Sequence, residues 1–373
     1  MNVAGVELNA AEAAPQLLGT VVAVQANYYQ VRLDTAHLLS AEPETLKVTE
    51  LLCTRRARLK KIGQQVMVGD RVQIEEPDWA GGRGAIAQVL TRTSELSRPP
   101  ISNVDQILLV FALAEPTLDP HQLSRFLVKA ESTGIDVVLC LNKRDLLTPA
   151  EQEQWYDRLT QWGYAPILIS VYQEDGLTEL QQRLSQKITV VAGPSGVGKS
   201  SLINHLIPTL DLRVGRVSGK LGRGRHTTRH VELFELPTGG LLADTPGFNQ
   251  PEVDSAPEDL AYCFPEARQR LASANCQFSD CLHRDEPNCA VRGDWERYED
   301  YLNSLDEAVA RYTAIARLKD AESTTKVKSG EEGQVQYEPK LETKRYRRVS
   351  RRVQQQNLKE LYKDMDSGLV EPD

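Results

Sequence analysis

The sequence predicts an α/β fold built on a parallel sheet, with a β-barrel segment before it and a small cysteine-bearing helical segment after it. Three observations carry this. Short apolar or β-branched runs at 105–111, 136–141, 167–170, Ile188–Ala192, 231–236 and 240–243 alternate with stretches of helical spacing, the pattern of parallel strands covered by helices. A glycine-rich loop joins one of these runs to a helix. Upstream lie several short strand-like runs, and downstream three of the 6 cysteines fall close together between 276 and 289.

The loop is Gly193-Pro194-Ser195-Gly196-Val197-Gly198-Lys199-Ser200, followed by Ser201. The run before it reads as a buried strand, and Leu202, Ile203 and Leu206 after it follow helical spacing up to Pro208. Its glycines let backbone N–H groups converge on phosphate oxygens at a helix N-terminus, where the helix dipole favours negative charge. Lys199 is expected to reach the β- and γ-phosphates of a nucleotide, and the Ser200 hydroxyl to ligate Mg2+. Asp244-Thr245-Pro246-Gly247 ends the run 240–243 and fits an Asp-x-x-Gly element beside the magnesium and the γ-phosphate. Asp244 and Gly247 therefore join the expected site.

Asn142-Lys143-Arg144-Asp145 closes the run 136–141. Asp145 can accept hydrogen bonds from guanine N1–H and from the exocyclic amine, a pairing adenine cannot offer. The wrong base would leave a carboxylate unpaired, so such a contact discriminates strongly. Ser170 falls where the backbone ordinarily supports the base. In ordinary GTPases the phosphate loop precedes the base-reading loop; here it follows. Rotating the chain to begin at Ile188 restores the order of a Ras-like domain, so the expected centre is a circularly permuted Ras-like P-loop GTPase domain binding GTP and GDP. The stretch 122–131 reads as a packing helix through Leu123, Phe126, Leu127 and Ala130. Permutation also makes the loop after Asp244 feed the C-terminal region, so a movement driven by the γ-phosphate can pass to whatever follows.

Cys276, Cys281, His283 and Cys289 offer three thiolates and one imidazole in a short polar stretch. That set suits a closed tetrahedral site with one structural zinc per chain. Cys53, Cys140 and Cys263 stand apart and read as ordinary thiols. No signal peptide or apolar run of transmembrane length is evident, so a cytoplasmic protein without disulfides or a membrane partner is expected.

Toward the N-terminus, runs at 19–24 and 28–33 flank a Gln25-Ala26-Asn27 turn, and 52–59, 71–75 and 84–90 continue the series. These suit an OB-like barrel, a fold that often binds nucleic acid. Arg55, Arg56, Arg58, Lys60 and Lys61 supply positive charge there, read equally as a nucleic-acid contact or a solvated charged strand. Lys and Arg total 44 against 52 Asp and Glu, a net charge of −8. This argues against indiscriminate binding to polyanions and leaves local patches. Arg213, Arg216, Lys220, Arg223, Arg225 and Arg229 crowd the expected switch I, and Lys344, Arg345, Arg347, Arg348, Arg351 and Arg352 form a second basic run. The second is equally a helix on a phosphate backbone or a solvated tail. From about 320 to 340 the polar composition reads as a linker or disordered segment.

Together these residues resemble the ribosome small-subunit-dependent GTPase A family. The resemblance rests on Asn103-Val104-Asp105-Gln106 through Asp145, the loop from Gly193 to Ser201, Gly222-Arg223-Gly224-Arg225-His226-Thr227-Thr228-Arg229, Asp244 through Phe248, and the Cys276 to Cys289 set. It spans about residues 16–300. It implies an OB barrel, a permuted GTPase and a zinc domain acting in late maturation of the 30S subunit, with 16S rRNA as partner and GTP hydrolysis stimulated by the subunit. A monomer is expected. Ordinary GTPases carry a water-orienting glutamine after Asp-x-x-Gly; Phe248 stands there in this chain. An apolar ring cannot position water, so the isolated protein is expected to be slow. The resemblance implies His226 as the catalytic group, beside Thr227 and Thr228, one of which completes the magnesium shell. A histidine touching RNA phosphate is the other reading. The expected division is a tail at 1–15, the barrel at 16–95, the GTPase domain at 96–250, the zinc-binding domain at 251–318 and a polar linker with basic tail at 319–373. The competing function is a guanine-nucleotide-regulated RNA-binding or metal-handling module without ribosome-stimulated turnover.

Overall fold

Short strands, alternating inward and outward most clearly in the second and third, build the first group of elements. β1 (Leu17–Gln25), β2 (Tyr28–Leu33), β3 (Glu50–Arg55), the short α1 (Ala57–Lys61), β4 (Arg71–Asp78) and β5 (Arg83–Val89) follow in sequence. The strands close into a barrel in the order β1-β2-β3-β5-β4. Tyr29, Val31 and Leu33 of β2 and Leu51 and Cys53 of β3 meet Val72, Ile74 and Ile86 inside it, as a period of two requires. The run expected at 52–59 stops at Arg55, and α1 turns Leu59 into the barrel core instead. One apolar residue between charged neighbours fits a strand and a helix equally, so the pattern could not separate them.

The computed structural model describes residues 17–34, 48–97, 99–210, 231–244, 255–322, 325–329 and 335–339. The chain divides into two compact units, Met1–Val309 and Ala310–Asp373.

After the barrel, β6 (Glu95–Ser97) and β7 (Pro100–Ser102) form a small hairpin. Asp70, fully buried, accepts hydrogen bonds from Arg92 Nε at 2.7 Å, Ser102 Oγ at 2.6 Å and the Met67 amide at 2.7 Å. A buried carboxylate held by several donors, one of them charged, fastens the barrel to the segment that leads into the sheet.

The sheet is built from β8 (Gln106–Ala112), α2 (Pro120–Glu131), β9 (Asp136–Asn142), α3 (Pro149–Gln161), β10 (Ile167–Leu168), α4 (Leu177–Leu184), β11 (Ile188–Ala192), α5 (Lys199–Leu206), β12 (Leu233–Glu235) and β13 (Leu241–Asp244). Its order is β10-β9-β8-β11-β13-β12. Every neighbouring pair is parallel except β12 with β13. All of β8 is buried, which explains its unbroken apolar run: a central parallel strand is covered on both faces. Leu109, Phe111 and Val190 pack with Leu123, Phe126 and Leu127 of α2 on one face. Leu108, Val110 and Val191 pack with Leu180 of α4 and Leu202 and Ile203 of α5 on the other. Beginning the chain at β11 gives the Ras-like order, so this is a circularly permuted domain of that class. Barrel and sheet meet through an Ala23–Glu232 bridge and an Arg32–Glu235 ion pair.

Beyond the sheet come a 3-10 turn (Pro257–Cys263), α6 (Pro265–Ser273) and α7 (Tyr298–Glu322). Phe264, Tyr301 and Leu305 form a core that includes Val128 of α2. Arg297 is 1% exposed and donates from Nε and Nη2 to the two oxygens of Glu266, at 2.8 and 2.5 Å, with Trp162 4.8 Å and Phe264 4.9 Å from its guanidinium carbon. Removing one partner of such a buried pair strands the other charge, at a cost of about 3–5 kcal/mol. In the stretch read as linker, β14 (Thr325–Ser329) pairs antiparallel with β15 (Val335–Pro339). Alternation of Thr325 and Val327 with lysines supplies the strand pattern that overall polarity concealed. No helix among the described residues is long and apolar enough to cross a membrane.

Candidate nucleotide and metal sites

The loops after β9, β10 and β11 emerge together at the carboxyl edge of the sheet, where open α/β sheets bind ligands. Between β11 and α5 the chain turns through Gly193 (φ 140°), Gly196 (φ 83°) and Gly198 (φ 97°). A Cβ at Gly193 would lie 2.1 Å from the Val110 carbonyl oxygen, and one at Gly198 would lie 2.4 Å from Asn142 Nδ2. The ends of β8 and β9 press on this loop, so only glycine fits at these two points. Pro194 lies half-buried at the base of the curve, Ser195 and Gly196 are exposed at its top, and Val197 is buried beneath. Lys199 is 7% exposed, and its ammonium donates to the carbonyls of Gly193 at 2.8 Å and Pro194 at 2.5 Å. The charge thus sits within the curl of the loop. Ser200 and Ser201 follow in the first turn of α5. Asp244 ends β13 in register with Val191 of β11, beside the base of the loop. A hydroxyl and a carboxylate are the oxygen donors that Mg2+ takes.

The base-reading side is tied together by one amide. Asn142 Nδ2 donates to the Val197 carbonyl at 2.9 Å, while its Oδ1 accepts from the Lys143 amide at 2.8 Å and the Val171 amide at 3.2 Å. One side chain therefore joins the phosphate loop, the Asn142–Asp145 turn and the loop after β10. Asp145 lies in a 3-10 turn (Arg144–Leu146), and its Oδ1 accepts from Ser170 Oγ at 2.5 Å. Ser170 is fully buried and in turn accepts from the Gln173 amide at 3.0 Å. Anchoring one carboxylate oxygen fixes the direction of the other. Lys143 Nζ donates to the Glu115 carbonyl, and Pro116 lies over Gly196. Glu115 and Pro116 follow β8 and carry no motif, so nothing in the sequence marked them.

His226, Thr227, Thr228, Gly247 and Phe248 lie outside the described residues, as do the basic stretches 213–229 and 344–352. On the barrel, Arg56 is paired with Glu75 at 3.4 Å and Glu76 at 2.8 Å, and Arg55 donates to the Gln64 carbonyl at 2.6 Å. Arg58, Lys60 and Lys61 are exposed on and around α1.

The ligand atoms of Cys276, Cys281, His283 and Cys289 all lie within 4.8 Å of one another. His283 Nδ1 is 3.5 Å from the Cys276 sulfur and 3.3 Å from that of Cys289. The Ala290 amide reaches Cys276 Sγ at 3.4 Å and the Arg292 amide reaches Cys289 Sγ at 3.3 Å. Burial lowers the His283 imidazole, keeping it neutral as a ligand must be, and pushes the Cys281 thiol up to about 12. A bound cation would reverse that second effect. Tyr298 and Tyr301 of α7 donate to the carbonyls of His283 at 2.8 Å and Leu282 at 2.7 Å, bracing the turn from behind. The four residues form a group able to hold a metal ion.

The family model of the RsgA GTPase matches residues 89–254. A relative from Trichormus variabilis, named small ribosomal subunit biogenesis GTPase RsgA, is 66% identical over 362 residues, covering 94% of this chain and 98% of its own length. YjeQ from Thermotoga maritima has a similar solved structure, 32% identical with a TM-score of 0.65, covering 79% of this chain and 99% of that one. YloQ, titled a circularly permuted GTPase, is 32% identical with a TM-score of 0.64, covering 81% and 98%. Motif order, sheet topology and this degree of identity agree: the chain belongs to the RsgA GTPase family.

Proposed function

We propose that this protein hydrolyses GTP to GDP and phosphate, binds the small (30S) ribosomal subunit, and acts in its late maturation with turnover stimulated by the subunit. The observation that carries this is the convergence of Lys199, Asn142, Asp145 and Ser170 at one sheet edge, in a chain closely similar to named small-subunit biogenesis GTPases. The backbone from Gly193 to Gly198 and the Lys199 ammonium hold the phosphates, with Ser201 beside them. Asn142, Lys143, Asp145 and Ser170 hold the guanosine. Asp244 and Gly247 are the residues this reading assigns to the γ-phosphate. Ser200 and Thr227 or Thr228 would hold Mg2+, which would supply charge neutralisation on the phosphates. His226 orients the attacking water in place of the missing glutamine. The barrel (16–95), GTPase (96–250) and zinc-binding (251–318) segments act as three domains, with the 319–373 tail after them.

Zinc is the metal this reading assigns to the Cys276, Cys281, His283 and Cys289 group, one per chain and structural, since three thiolates with one imidazole leave no open position. The closed set argues against a metal-handling module, which would need exchangeable ligands. Arg58, Lys60 and Lys61 are the barrel cations this reading assigns to 16S rRNA contact, supported by their exposure. The protein acts as a cytoplasmic monomer.

Asp145→Asn is expected to lose GTP affinity and gain xanthosine triphosphate, whose ring carbonyl an amide can satisfy. Titration with both nucleotides checks this, and unchanged GTP affinity would contradict the assignment. Cys281→Ser is expected to release the metal and loosen the segment around α7, because Tyr298 and Tyr301 brace the same turn. GTP binding should largely survive, as the ligands lie outside the nucleotide loops. Metal analysis of fresh protein should find one zinc per chain; finding none would overturn the assignment. Subunit binding itself is tested by co-sedimentation with purified 30S particles, expected to be stronger with a non-hydrolysable GTP analogue than with GDP. Absence of the protein from the 30S pellet in both states would contradict the proposal.

A further inference from the structure

We infer that Gln152 is a positioning residue for guanine recognition, acting through the turn that carries Asp145; the inference rests on the reading of Asp145 as the base-binding carboxylate.

The placement of Gln152 begins with a helix cap. Thr148 accepts a hydrogen bond from the Glu151 amide at 3.4 Å, and the Glu151 carboxylate accepts from the Thr148 amide at 2.8 Å, with Pro149 opening α3. This reciprocal cap fixes where the helix starts. Gln152 then falls in its first turn, where helical side chains lean back toward the N-terminus. The turn from Arg144 to Leu147 lies in that direction.

Every polar atom of the Gln152 side chain is spent on that turn. Its Nε2 donates to the Arg144 carbonyl at 2.9 Å and to the Leu147 carbonyl at 3.0 Å, and its Oε1 accepts from Arg144 Nε at 3.1 Å. Two carbonyl acceptors admit only the NH2 end, so the orientation of the amide is fixed by its partners. Within the turn itself, Leu146 and Leu147 bond back to the Lys143 and Arg144 carbonyls, both at 3.1 Å. Arg144 carries the brace across to the neighbouring loop. Its amide donates to the Ile169 carbonyl at 3.1 Å, and its guanidinium lies 3.3 Å from Asp175. Asp175 is paired through its backbone with Ser170, which holds the Asp145 carboxylate. Gln152 and Arg144 thus clamp the two loops between which that carboxylate is aimed.

The test compares GDP with inosine diphosphate, which lacks the exocyclic amine, by titration calorimetry on the full-length chain. The variants are Gln152→Ala, Gln152→Glu, Asp145→Ala and the double substitution Gln152→Ala with Asp145→Ala. Loss of aim should lower the preference for GDP over inosine diphosphate by about tenfold in Gln152→Ala, the scale of one well-placed hydrogen bond. Gln152→Glu preserves size and the contact to Arg144 but sets a carboxylate against two carbonyls, so the same fall is expected. With Asp145 removed, Gln152→Ala should change the preference no further, because the two act in series. A purely structural role would weaken both nucleotides alike. An unchanged preference in both Gln152 variants overturns the inference while leaving Asp145 in place. An unchanged preference in Asp145→Ala overturns the reading of Asp145 itself.

Discussion

Lys199→Ala is expected to abolish GTP binding at concentrations that saturate the parent, a loss on the order of 10²–10³-fold in affinity for a buried charge partner. The ammonium is nine-tenths buried and already lies inside the curl of the loop, against the Gly193 and Pro194 carbonyls. Removing it takes the ammonium partner of the phosphates out of the curl of the loop. Lys199→Arg should fare little better, since a planar fork cannot replace a compact ammonium in that space. Titration with a fluorescent GTP analogue checks both, and affinity within tenfold of the parent would contradict the placement.

His226→Ala is expected to leave GTP affinity and 30S binding nearly intact while lowering stimulated turnover by roughly 10²-fold or more, the range of a positioned acid–base group. Nothing at position 248 can take over, because Phe248 has no hydrogen-bonding atom in its side chain. The basic residues around His226 suit switch I to RNA contact, so stimulation should also weaken as salt rises. Full stimulated turnover in His226→Ala, measured as phosphate release with 30S particles, would assign the water to another group.

Much of this architecture could be read from the chain because it depends on local pattern. The apolar runs of β8, β9 and β11 and the spacing of Cys276, Cys281, His283 and Cys289 each state their role within a few residues. What escaped depends on distance along the chain. Ser170 meets Asp145 across 25 positions, and Tyr298 meets the His283 carbonyl across 15, so no window of sequence contains either contact. The β6–β7 hairpin has strands of three residues, too short for a period to register. At α1 a single buried leucine was compatible with two periods, and burial against the barrel decided between them. Gln152 shows an intermediate case: its cap, Thr148-Pro149-x-Glu151, is visible in the sequence, but the turn it clamps is visible only in the fold.

On the proposed function, this permuted GTPase is slow by itself and is switched on by the small subunit. Steady-state GTP turnover with and without purified 30S particles tests it most directly. The expected result is a rate raised on the order of 10²-fold or more by 30S particles, as when a partner completes a GTPase site, and little effect of 50S particles. A rate that is the same with and without 30S subunits would contradict it.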